Sequence, residues 1–138
     1  MGEKAVPKTK CARNLTGAFL IGGTICAFGQ FLLNLYLKMG LSTPEASTWC
    51  SITLVGISAV LTGIGVYDKI AKFGGGGTLV PITGFANAVV SPAMEFKSEG
   101  YILGLGSKMF TVAGPVLVFG TISSVVCGFL YWLYLLIF

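Results

Sequence analysis

Four stretches without a single charged side chain dominate this chain of 138 residues, at positions 14–37, 46–67, 73–94 and 109–138. Each exceeds the roughly 20 residues an α-helix needs to cross the hydrocarbon core of a bilayer. Only 10% of the residues are charged, against about 25% in ordinary soluble domains. A chain this short cannot cover so much apolar surface with so few charges. The expected fold class is therefore an all-α integral membrane protein with three to four transmembrane helices. The expected organisation is a basic cytoplasmic tail at 1–13 followed by one polytopic membrane domain at 14–138. Within it, spans are expected at about 15–37 and 48–67, then a broken segment at 73–94 and a final span at about 109–134.

The charges themselves are clustered. Glu3, Lys4, Lys8, Lys10 and Arg13 fall in the first thirteen residues, Lys38 lies between the first two spans, and Lys69 and Lys72 follow the second. Basic residues favour the cytoplasmic side, so spans one and two form a hairpin with the N-terminus inside. The first apolar stretch is full length and lacks a small-residue cleavage site, which argues against a cleavable signal peptide. The net charge of +4 owes most to this flank and suits anionic lipid at the membrane surface; nucleic acid is not an expected partner.

The third stretch reads "FGGGGTLVPITGFANAVVSPAM", apolar enough to span yet punctuated like a loop. A glycine run costs about 1 kcal/mol per residue in a helix relative to alanine, and proline bends or stops what precedes it. Irregular backbone at membrane depth is tolerated only when protein buries it or it lines a watery cavity. The segment is thus expected to be a loop at Gly74–Gly77 and then a short, Gly/Pro-broken helix that either re-enters or crosses. Gly74, Gly75, Gly76, Gly77, Thr78, Pro81, Thr83, Asn87 and Ser91 are pore or solute-contact candidates. Glycines let backbone groups approach a solute, and Thr83, Asn87 and Ser91 recur every four residues along one helical face. The opposing reading has the glycines permitting a tight helix crossing and the polar groups bonding neighbouring backbone. Pattern alone leaves both open.

Other candidates follow from the same rules. Gln30 and Asn34 share a face of span one, where amides point at protein or water rather than lipid, as helix–helix glue or as pore lining. Tyr67, Asp68 and Glu95 are gate or subunit-contact candidates, with an Asp68–Lys72 ion pair as the simpler alternative. Gly22 and Gly23, Ala59 and Gly63, and Gly120, Ser124 and Gly128 make small-residue faces suited to helix packing. "GGTICAFGQFLL" and "FGTISSVVCGFL" look alike, a faint internal symmetry. Tyr131, Trp132 and Tyr134 stand where an aromatic belt is expected.

Little catalytic chemistry is available. There is no histidine, only five acidic residues, and the four cysteines are widely spaced. This pattern offers no metal site, no cofactor and no catalytic residues. No phosphate-binding loop of the G-x-x-x-x-G-K-[ST] type is present.

The stretches "FLIGGTICAFGQ" and "LTGIGVYDKIAKFGGGGTLVPITGFANAVVSPAMEFKSEGYILGLGSKMFTVAGPVLVFG" resemble the stage V sporulation protein AC family of spore-forming bacteria and its AE-type sister, nearly throughout from about residue 13. Gly75 and Gly77 stand where relatives carry alanine, which makes the local backbone more permissive. The resemblance implies a subunit of a complex in the spore inner membrane. That complex moves dipicolinic acid, with its calcium, into the spore during sporulation and out at germination, and a channel activity responsive to tension is attributed to the AC type. It also implies an AE-type membrane partner, a soluble AD-type partner, and a homo- or hetero-oligomer. A structural or regulatory subunit that assembles a pore made by others is the alternative.

Overall fold

The computed structural model describes residues 11–137, and among these no strand occurs. Helix α1 runs Cys11–Lys38, α2 Thr43–Gly63, α3 Tyr67–Gly74, α4 Gly76–Leu79, α5 Ile82–Glu95 and α6 Phe110–Ile137, with a 3-10 turn at Lys97–Glu99 and a π-helical turn at Tyr101–Gly106. Three helical stretches are long and apolar enough to cross a membrane: Cys11–Lys38, Thr43–Gly63 and Tyr101–Ile137. The chain is an all-α membrane protein. Residues 1–10 of the expected basic tail lie outside the described residues, while Cys11, Ala12 and Arg13 form the opening turn of α1.

Both hairpin helices end in the same way, at a glycine. Gly40 and Gly65 take positive φ angles of 91° and 71°, a conformation that residues with a Cβ rarely adopt. After α1, Leu41 N–H donates to Tyr36 O at 3.4 Å and Gly40 N–H to Leu37 O at 3.1 Å; after α2, Val66 N–H donates to Leu61 O and Gly65 N–H to Thr62 O, each at 2.9 Å. These paired bonds close the last carbonyls of a helix end. They stop α2 at Gly63, short of the 48–67 span read from the sequence. At its start, α2 is set by Ser42, whose N–H and Oγ–H both donate to Glu45 Oε2 at 3.0 and 2.7 Å, with Pro44 in the first turn. Along both helices hydroxyls bond the preceding turn, as Thr16 does to Ala12 O and Thr24 to Leu20 O, both at 3.0 Å. A hydroxyl so satisfied can face lipid at low cost.

The described chain divides into two compact units, one through Asn87 and one from Ala88, with the division inside α5. In the first unit α1 packs on α2, α3 and α4. Tyr36 OH lies 2.7 Å from Thr53 Oγ1, and Cys50 Sγ–H donates to Gly29 O at 3.3 Å, so polar contacts tie the hairpin at several levels. In the second unit the chain turns through Gly100, at φ 102°, into the π-helical stretch and α6. Lys108 Nζ lies 4.7 Å above the Phe96 ring, and a Cβ on Gly104 would collide with Phe96 O. These contacts give the segment "EFKSEGYILGLGSK" its structure. Pro115 sits inside α6, and near its end the Phe129 and Trp132 rings stack at 6.1 Å.

Candidate functional site

Of the four consecutive glycines, only Gly75 leaves helical geometry. Its φ of 47° and ψ of −121° belong to a region reserved almost wholly for glycine, and it separates α3 from α4. The expected loop at Gly74–Gly77 is thus a single-residue hinge, with Gly74 closing α3 and Gly76 and Gly77 opening α4. The outer glycines act through their missing side chains. A Cβ on Gly77 would collide with the Ala18 carbonyl of α1, and one on Gly74 would lie 2.6 Å from the Thr78 methyl and 3.0 Å from Ile21. Gly22 completes the crossing, its Cβ position 3.2 Å from Gly77 Cα. Gly76 has open space around its Cβ position.

This close crossing brings polar groups of α2, α3, α4 and α5 together inside the first unit. Tyr67 is buried at the start of α3, and its hydroxyl donates to Thr78 O at 3.0 Å and lies 3.1 Å from Thr83 Oγ1. Ser58 of α2 donates to Thr83 O at 2.6 Å, and Thr78 Oγ1–H donates to Gly75 O at 2.9 Å. Thr62 Oγ1 lies 2.8 Å from Ser58 O and 2.9 Å from Asn87 Oδ1. One hydroxyl proton cannot serve two acceptors. With that proton on Ser58 O, a half-turn of the Asn87 amide makes Nδ2 the donor to Thr62 and satisfies both side chains. Gly84 permits this arrangement, because a Cβ there would lie 2.5 Å from Leu79 O.

Ser58, Tyr67 and Thr83, with Thr24, are the polar members of a mostly apolar groove of about 320 Å³, walled by Phe28 and Ile57 among others. Its volume is at the lower end of small-molecule sites. Among the described residues, no charged side chain lines it.

The remaining sequence candidates lie elsewhere. Pro81 is half-buried at the bend between α4 and α5, and Ser91 is half-buried in the second unit. Gln30 and Asn34 are exposed on α1 and bond each other, Nε2–H to Oδ1 at 3.0 Å. Asp68 is exposed on α3 and Glu95 at the end of α5. Among the described residues no ion pair forms within 4.0 Å, so the simple Asp68–Lys72 pairing is not made. Ala59 is half-buried on α2. Gly23, Gly63, Gly120 and Gly128 have nothing within 4 Å of their Cβ positions, and Ser124 Oγ–H donates to Gly120 O at 2.8 Å. Among the described residues no group of three or more metal-ligating side chains occurs.

Ser58, Thr62, Gly17 and Gly84 were not singled out from sequence. Ser58 and Thr62 stand one helical turn apart in an apolar span, the same signal that marks Gln30 and Asn34, and they could have been found by it.

The family described as SpoVAC/SpoVAEB sporulation membrane protein matches residues 14–130. Stage V sporulation protein AC of Bacillus subtilis (strain 168) is 46% identical over 123 residues, covering 88% of this chain and 82% of that protein. No solved structure matches the chain. A family match over most of the length, joined to an apolar helical hairpin and a glycine-hinged segment packed against it, gives one conclusion: the chain belongs to the SpoVAC/SpoVAEB family of sporulation membrane proteins.

Proposed function

We propose that this sporulation membrane protein is a conduit subunit that moves dipicolinic acid with calcium across the spore inner membrane, in sporulation and in germination, and that membrane tension opens it. The observation that carries the reading is the neutral polar row of Ser58, Thr62, Tyr67, Thr83 and Asn87 within a membrane unit, part of it lining a groove with no charged side chain among the described residues. Dipicolinate is a planar dianion, and a calcium ion cancels its charge. A neutral pair needs hydroxyls and amides rather than fixed charges, since a fixed charge at membrane depth is costly and would hold one partner too tightly for release. The glycine hinge gives the broken segment a place to move. In this reading the N-terminus is cytoplasmic, the AE-type membrane subunit shares the conduit, the AD-type subunit docks from the aqueous side, and no chemical step is catalysed.

Reconstitution of the chain with its AE-type partner in liposomes loaded with calcium dipicolinate tests this directly. Efflux should rise on osmotic downshift, and absence of efflux from a verified, inserted complex would refute it. A second reading, a structural subunit that assembles a pore formed by others, is favoured by a separate observation. Gly74, Gly77 and Gly84 all spend their missing side chains on packing, and the buried hydroxyls already have partners within the fold. Under that reading complex assembly, not flux per assembled complex, responds to changes in the segment.

A further inference from the structure

The close approach of α3 to α1 has a second effect, at the end of the bundle away from the α1–α2 turn. A Cβ on Gly17 would lie 2.5 Å from the Phe73 carbonyl, so α1 and α3 nearly touch there. This draws Lys72, next to Phe73, toward Arg13 and Asn14 in the opening turn of α1. Arg13, Asn14, Thr16 and Lys72, with Gly17, Leu20 and Phe73, line one notch of mixed character and about 420 Å³, and Asn14 and Lys72 continue into a second of about 240 Å³ beside Gly75 and Gly76.

Among the described residues, two cations therefore share a pocket with no acidic side chain in its lining, and neither forms an ion pair. Like charges held together favour a bound anion, and a guanidinium, an ammonium and an amide together match the acceptor oxygens of a phosphate. The notch also shares Thr16 and Leu20 with an apolar groove of about 490 Å³ that runs along α1 past Leu15 and Phe19. A polar anion site that opens into an apolar groove, at the end of a membrane-spanning helix, has the shape of one lipid molecule. Its headgroup phosphate would occupy the notch and an acyl chain the groove. A free phosphate would use the notch alone.

The geometry points to a binding site for a single anionic phospholipid, held by Arg13, Asn14 and Lys72 at its phosphate and by Leu15, Phe19 and Leu20 along its chain. Its occupant would bridge α1 and α3 beside the Gly75 hinge. This inference is independent of what the protein conducts.

The test is native mass spectrometry of the full chain released from micelles containing phosphatidylglycerol, phosphatidylcholine or inorganic phosphate. One phosphatidylglycerol should remain bound in preference to phosphatidylcholine. Retention should drop about thirtyfold in the R13Q/K72Q variant, given about 1 kcal/mol for each basic residue at an anionic headgroup. R13K/K72R, which keeps both charges, should retain most of the binding and so separates loss of charge from loss of fold. Phe19→Ser should weaken lipid retention without changing phosphate retention. Equal retention of both lipids, or undiminished retention in R13Q/K72Q, would overturn the site. Saturation by inorganic phosphate with no preference for the lipid would overturn the lipid assignment.

Discussion

Gly77 of α4 and Ala18 of α1 lie backbone to backbone, with no room between the Gly77 Cα and the Ala18 carbonyl for a single methyl group. Helix association in lipid lacks a hydrophobic driving force and depends on such close contact. Gly77→Ala should therefore push α4 off α1, at a cost of about 1–3 kcal/mol. A lower thermal midpoint in detergent micelles would register the loss, while Gly120→Ala, inside α6 with open space at its Cβ position, should leave the midpoint of the isolated chain unchanged or slightly raised.

Neighbouring glycines should respond in opposite directions. Gly75→Ala forces a Cβ into the φ 47° conformation and should destabilise the chain by about 1–3 kcal/mol. Gly76→Ala, in a helical position with free space, should be neutral or stabilising by up to about 1 kcal/mol. Parallel melts of the two variants check this, and equal shifts would mean that the hinge is not at Gly75.

The run of glycines illustrates what the sequence could and could not specify. Four apolar intervals and the distribution of lysines and arginines suffice for an all-helical membrane fold, because hydrocarbon leaves a backbone few other solutions. The glycine run marks a break for the same reason. Which glycine forms the hinge and which ones pack was not legible, since that depends on Ala18, Ile21 and Gly22 of a helix distant in sequence. Asn87 was legible as a solute-contact candidate or as a group bonding neighbouring backbone; its pairing with Thr62 was not, because pairing between helices requires their register.

Thr62 and Asn87 should be energetically coupled. In a double-mutant cycle with Thr62→Val and Asn87→Leu, the interaction energy should be about 0.6 kcal/mol and at most ~1.7 kcal/mol, the range for hydrogen bonds between membrane helices. Unfolding of the four proteins in mixed micelles measures it, and strict additivity would show that the 2.9 Å contact contributes nothing.

Tyr67 anchors α3 to both α4 and α5 through one hydroxyl. Tyr67→Phe keeps the ring packing but leaves the Thr78 carbonyl and the Thr83 hydroxyl short of a partner, which should cost about 1–3 kcal/mol. The melt should fall accordingly, with helix content by circular dichroism retained.

Cysteine reactivity gives an independent check on the hairpin. Cys50 is buried against the Gly29 carbonyl, whereas Cys11 is exposed at the start of α1. N-ethylmaleimide in mild detergent should modify Cys11 rapidly and Cys50 only after unfolding, as read by mass spectrometry of digested protein. Rapid modification of Cys50 in the folded chain would place α2 away from α1.

The central claim is that the polar row inside the first unit faces the transported solute. The most direct measurement compares tension-triggered calcium dipicolinate efflux per inserted complex for the natural chain and for Asn87→Leu, with assembly verified by cross-linking. The account predicts normal assembly and severalfold lower efflux, because an apolar side chain replaces the amide that partners Thr62 in the row the account sets against the solute. Normal assembly with unchanged efflux would contradict it and leave the segment a role in packing alone.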